Sequence, residues 1–139
     1  MNRISQTQAE ERARDYTEAW CSHDPEAVAS FYAEDGRITI NDGEPSNGRA
    51  EVAEMARGFM ESFPDIVVHM DDLRSSGTHA VYRWTLEGHN TGPDGTGNYV
   101  RVIGWEYWRY DSEGLVAESY GHFDAEDYDR QLAGEEADA

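Results

Sequence analysis

The longest β-branched and aromatic runs of the chain lie between positions 98 and 124. The stretch reads NYVRVIGWEYWRY, then DSEG, then LVAESYGHFD: two runs rich in β-branched and aromatic residues around a polar tip that ends in Gly114. This pattern predicts a long β-hairpin. Neighbouring side chains of a strand point to opposite faces, so Val102, Gly104, Glu106 and Trp108 share one face, and Ile103, Trp105 and Tyr107 the other. On the return strand Ser119, Gly121 and Phe123 oppose Glu118, Tyr120 and His122. Large rings on both faces call for two covers, helices on one side and a second sheet or a second subunit on the other.

Upstream the spacing changes to that of a helix. Between positions 5 and 23, Ala9, Ala13, Tyr16, Ala19 and Trp20 recur at steps of three and four among charged residues, which predicts an amphipathic helix with Tyr16 and Trp20 inward. Asp24-Pro25-Glu26 then supplies a side-chain cap, a proline at the first position and an acid at the positive end of the dipole. A short second helix follows, with Ala27, Val28, Phe31 and Tyr32 on one face. Residues 37–40 read as a short strand and 41–48 as a loop. Val52, Met55, Ala56, Phe59 and Phe63 predict a helix over 49–63, closed by Pro64-Asp65. Strand patterns at 66–74 and 79–89 lead through a Gly- and Pro-rich loop into the hairpin. Residues 125–132 read as a last short helix, and 133–139 as an acidic frayed tail.

Helices first and antiparallel strands afterwards is an α+β plan. One curved, mostly antiparallel sheet wraps around the segregated N-terminal helices, which pack in its concave face. No repeat or linker interrupts the 139 residues, a length that suits one domain with a core spanning about 8–133.

Composition narrows the function classes. An aromatic share of 12% is too rich for a disordered chain, even at a net charge of -18. Eleven Arg and no Lys face 29 acids, a balance that repels phosphate backbones and anionic membranes, so neither nucleic acid nor a membrane is an expected partner. The single cysteine, Cys21, rules out an internal disulfide and reads as a small buried residue. Met1 leads into a polar segment without an apolar signal core, and there is no spanning run; a cytoplasmic location is expected.

Several runs together resemble a known family. Trp20-Cys21-Ser22-His23-Asp24-Pro25-Glu26-Ala27-Val28, followed by Phe31 to Gly36, is similar to the start of the nuclear-transport-factor-2-like superfamily. Gly48-Arg49-Ala50-Glu51, Phe63-Pro64-Asp65, Val81-Tyr82-Arg83-Trp84 with Gly88-His89, and Glu118-Ser119-Tyr120 with Asp124 and Gln131-Leu132 resemble its SnoaL-like polyketide cyclase branch. The resemblance implies a cone enclosing a pocket and an intramolecular aldol closure by one acidic side chain, with no metal or cofactor. In many members that acid follows the Trp or Tyr of the last strand; here the position is Gly121. Steroid-isomerase relatives need a base near the end of the first strand and an acid on the hairpin. Those positions here are Ile40 and Gly104, with Asp42 close to the first.

Among the residues themselves Glu106 is the first candidate for proton chemistry, because a carboxylate flanked by Trp105, Tyr107 and Trp108 in a strand interior is costly to bury unless it is used. An ion pair with Arg83 or Arg101, or a subunit contact, is the structural alternative. Tyr16 is a candidate donor to a substrate carbonyl or a core residue with its hydroxyl satisfied. Asp124 is a candidate acid or the N-cap of the last helix. His122 is a candidate only if a bulge near Gly121 shifts the register. Trp20, Phe31, Tyr32, Met55, Phe59, Tyr82, Trp84, Ser119, Gly121 and Phe123 are the expected ligand-binding positions, for a hydrophobic small molecule. His69, His79 and His89, ten apart on separate strands, do not make a metal set. A cofactor-independent cyclase or isomerase acting on a hydrophobic carbonyl compound is the leading expectation. A non-catalytic ligand-binding or dimerisation module that has lost the acid at Gly121 is the alternative. The ring-bearing second face of the sheet, with Trp105, Tyr107 and Tyr120, implies a homodimer.

Overall fold

In the computed structural model, which describes residues 4–135, the chain runs α1 (Gln6–Cys21), α2 (Pro25–Ala29), β1 (Tyr32–Ile40), β2 (Ser46–Asn47), α3 (Gly48–Ser62), β3 (Val67–Ser76), β4 (His79–His89), β5 (Tyr99–Tyr110), β6 (Val116–Phe123) and α4 (Ala125–Leu132). Helix α1 opens with a capping box: the Ser5 hydroxyl accepts from the Gln8 N–H, and the Gln8 side chain accepts from the Ser5 N–H. Asp24 caps α2 and Asp124 caps α4, each accepting from a backbone N–H three residues on.

The strands form one sheet in the order β2-β1-β6-β5-β4-β3. All neighbouring pairs are antiparallel except β1–β6, which is parallel. Strand β5 lies between β4 and β6, and its residues alternate exposed and buried along its whole length. Even-numbered side chains from Val100 to Tyr110 therefore face the helices, and odd-numbered ones face away. The inner side chains Val102, Trp108, Tyr82 and Leu73 join Ala13, Tyr16, Val52 and Ala56 of α1 and α3 in one core. The sheet is curved around these helices, as the sequence pattern predicts.

Three local expectations need correction. Tyr32 starts β1 rather than continuing α2: Ser30 ends the helix by donating from its hydroxyl to the Ala27 carbonyl, and the Phe31 carbonyl is taken by the N–H of Val116. A long-range strand pairing thus overrides a helical spacing that still looks favourable at Phe31 and Tyr32. Ser46 and Asn47, read as loop, add a two-residue edge strand to β1. Cys21 is exposed rather than buried, at the last residue of α1, with its Sγ donating to the Val68 carbonyl at 3.3 Å. Gly134, at φ 81°, follows α4. Of the expected frayed tail, residues 136–139 lie outside the described residues.

Candidate functional site

A cavity opens between the helices and the concave face of the sheet, with about 590 Å³ of empty space including its mouth. Its walls are apolar and aromatic. Of the expected ligand-binding positions, Trp20, Met55, Phe59, Tyr82, Trp84, Gly121 and Phe123 line it, and so does Glu106. Tyr128 of α4, not among the expected positions, lines it as well, and its ring packs on Phe63 and Phe123. Only its place in a short amphipathic helix could have flagged it.

Two glycines shape this hollow, and they do opposite things. Gly104 is the cross-strand partner of both Trp84 and Phe123. A Cβ there would lie 2.3 Å from Cζ2 of Trp84, so the indole lies over the glycine. Gly121 pairs with Glu106 on the next row, where an added Cβ would meet nothing closer than 3.6 Å. The space at Gly104 is filled by an indole; at Gly121 a methyl-sized group would fit in ordinary contact with the Glu106 side chain.

Glu106 is 7% exposed, and hydrogen-bond donors from three other elements and its own strand converge on it. Trp108 Nε1 donates to Oε1 at 3.0 Å and Ser119 Oγ at 3.0 Å. The hydroxyls of Tyr16 and Tyr32 each lie 3.2 Å from the same oxygen and 3.1 Å from one another. Oε2 has one long contact, 3.5 Å to Tyr16. One carboxylate oxygen is therefore saturated while the other keeps acceptor capacity. No arginine pairs with Glu106 among the described residues. Arg83 and Arg101 stand on the exposed outer face, where alternation along β4 and β5 puts them.

Burial raises the Glu106 pKa, and the donors from Trp108, Ser119, Tyr16 and Tyr32 pull part of the way back by stabilising the charged form. Burial and the nearby carboxylate push the Tyr16 and Tyr32 phenols well above their ordinary value, so both remain neutral donors. Tyr82 is raised for the same first reason, and its hydroxyl is committed to Thr17 Oγ1 at 2.5 Å.

The remaining sequence candidates fall elsewhere. Tyr32 and Ser119 are buried beneath the cavity wall and reach Glu106 rather than the hollow itself. Phe31 borders a second, smaller hollow with Arg12, Tyr110 and Val116. The Asp124 side chain accepts from the Asp127 N–H as the cap of α4. His122 edges the cavity, yet its ring packs on Trp105 on the outer face. The β5–β6 register shift lies between Arg109 and Tyr110, far from Gly121, so the bulge that would turn His122 inward does not form. His69, His79 and His89 bond to Glu87, Tyr107 and Asp65 respectively, and no cluster of three metal-ligating groups occurs among the described residues. No described helix is long and apolar enough to cross a membrane.

The model of the SnoaL-like domain family matches residues 13–119. A search of curated protein sequences finds no match. Among solved structures, a hypothetical protein with a ketosteroid isomerase-like fold from Catenulispora acidiphila, in complex with trimethylamine, is similar at a TM-score of 0.78 and 17% identity, over 88% of this chain and 92% of that one. A protein from Jannaschia sp. CCS1, described as a SnoaL-like polyketide cyclase, gives 0.80 at 15% identity over 94% and 95% of the two chains. TsrD from Streptomyces laurentii gives 0.80 at 20% identity over 93% and 97%. Identities this low speak for the fold alone. With the family model matched over residues 13–119 of the 139, the chain belongs to the SnoaL-like domain family.

Proposed function

We propose that this protein is a cofactor-independent enzyme that moves a proton on a hydrophobic, carbonyl-bearing small molecule, with Glu106 as the proton carrier. One observation carries the reading: a buried carboxylate on the wall of an apolar cavity, held by neutral donors and, among the described residues, by no cation. An acid kept only for structure is normally buried with a charge partner. Desolvation makes the carboxylate a stronger base, and the four donors at Oε1 fix its orientation.

The chemistry follows from Oε2, the oxygen with spare capacity. Oε2 takes a proton from the carbon beside the carbonyl, and the C–H electron pair moves into the adjacent carbon–carbon bond as the carbonyl oxygen becomes an enolate. The protonated Glu106 then returns its proton. In a substrate whose enolate is conjugated with a carbon–carbon double bond, delivery to the far carbon of that system isomerises it; attack of the enolate on a second carbonyl of the same molecule closes a ring, and the proton goes to the new alkoxide. Tyr16 and Tyr32 orient the carboxylate in this scheme, and Ser119 supports it from below. Trp20, Met55, Phe59, Tyr82, Trp84 and Phe123 supply the walls, and Gly121 lines the cavity beside the acid without a side chain of its own.

Binding without chemistry is the second reading, favoured by the glycine where many relatives carry their acid. The proposal also includes a homodimer formed through the outer face of the sheet and a cytoplasmic location, in which the lone Cys21 thiol stays reduced.

The test uses 2-tetralone, a bicyclic ketone with acidic C–H groups on both sides of its carbonyl. The wild-type protein is expected to accelerate exchange of those protons in D₂O, followed by NMR. Glu106→Gln should lose about 10²-fold or more of that acceleration while it stays folded, melting no lower than the wild type. Exchange at the buffer rate with wild-type protein, or equal acceleration by the variant, rejects the enzyme reading.

A further inference from the structure

A carbonyl that becomes an enolate needs a hydrogen-bond donor at its oxygen, and the donors around Glu106 are already engaged. The Tyr16 and Tyr32 hydroxyls contact the carboxylate and each other, the Trp108 and Ser119 donors end on Oε1, and the Tyr82 hydroxyl is bonded to Thr17. Among the described residues that line the cavity, one polar atom is buried with no partner in the protein: Nε1 of Trp84. An indole N–H only donates, and a buried donor left unmade is costly, so a native structure keeps one where something else completes it.

The position of Trp84 fits that role. Tyr82, Glu106 and Gly121 form one row across β4, β5 and β6, and Trp84, Gly104 and Phe123 form the adjacent inward-facing row. The rows are two residues apart, about 7 Å along the strands. Gly104 makes the arrangement possible, because any side chain there would displace the indole. Trp84, Glu106 and Gly121 all line the cavity, so a ligand whose carbonyl oxygen lies at Trp84 extends along this wall toward the carboxylate.

We propose that the Trp84 indole N–H is the donor that binds the acceptor oxygen of the ligand, so that the cavity selects flat apolar molecules carrying a carbonyl whose neighbouring carbon meets Glu106. This assignment rests on the cavity being the ligand site, but its binding arm does not require Glu106 to move a proton. A site with an unmet donor discriminates against analogues that lack the acceptor.

The measurement compares 2-tetralone with tetralin, the same bicycle without the carbonyl, by equilibrium dialysis against wild-type protein. Tetralone should bind about fivefold tighter or better, the size of one net hydrogen bond. The preference should fall to about one in Trp84→Phe, and also when position 84 carries β-(3-benzothienyl)alanine, which keeps the indole shape and replaces N–H with sulfur. Glu106→Gln should keep the preference, which separates this proposal from the proton-transfer reading. In ¹⁵N-labelled protein, tetralone but not tetralin should move the Trp84 indole proton downfield. A preference that survives the sulfur isostere, equal binding of the two bicycles to wild type, or no binding of either up to its solubility limit overturns the assignment.

Discussion

Glu106 sets a pH signature that no exposed carboxylate would give. Its native pKa is raised by burial, while in the unfolded chain it returns to the ordinary range near about 4.3. Between those two values the folded protein holds a proton that the unfolded chain has released. The contribution of this site to stability is therefore complete below the ordinary carboxylate value, is lost as pH rises toward the native pKa, and is level above it. Replacing Glu106 with glutamine removes this slope. Urea denaturation at a series of pH values should show wild type losing stability relative to Glu106→Gln through that window and a constant difference beyond it; parallel curves would mean that the carboxylate is not desolvated. The same proton governs the proposed exchange reaction, which needs the ionised form and should rise with pH through a limb lying above the ordinary carboxylate range. Trp108→Phe and Ser119→Ala each remove a donor that favours the charge, so each should move that limb to higher pH.

At the scale of elements, α4 ties capping to the cavity. Asp124 holds the first turn and Tyr128 carries the helix onto Phe63 and Phe123 at the cavity wall. Asp124→Ala should cost about 1 kcal/mol, the usual loss for a missing cap, and hydrogen exchange over 125–132 should quicken before it does in β5. Equal protection in both proteins would remove the cap from this account. Helix α4 was legible in the sequence because its start is chemical and local, and β4 and the hairpin were legible because their alternation is long. The parallel pairing of β1 with β6 was not. It depends on Gly36, where a Cβ would sit 2.5 Å from the Val116 carbonyl, and on Arg37, whose Nε and guanidinium nitrogen both donate to Glu118 across the pair. Residues so distant in sequence leave no period to read. The site divides in the same way: alternation put Glu106 and Ser119 on one face, while the meeting of Tyr16 from α1 with Tyr32 from β1 at a single oxygen is a property of the folded chain. The Trp84 indole could not be found from sequence at all, because its lack of a partner is known only once every neighbour is in place.

For the whole molecule, the unresolved balance is between a net charge of -18 and an outer sheet face that carries Ile103, Trp105, Tyr107 and Tyr120, all between 39% and 56% exposed. A row of rings this open favours association, and two copies with that charge repel. The face itself is less acidic than the rest: Arg83, Arg101 and Arg109 stand on it between the rings, so the repulsion comes mostly from other surfaces and acts over a distance. Salt shortens that distance to about 8 Å at physiological strength while leaving burial of the rings intact. The proposed dimer should therefore tighten as salt is raised, opposite to an interface held by ion pairs. Sedimentation at micromolar protein should show a rising dimer fraction between low and moderate salt. Trp105→Glu, which places a charge at the centre of the face and leaves Glu106 untouched on the other side of the strand, should give a monomer at every salt concentration with the cavity still able to bind 2-tetralone. A wild-type monomer throughout the salt series would leave the outer face without a partner of its own kind, and a dimer that persists in Trp105→Glu would move the interface elsewhere.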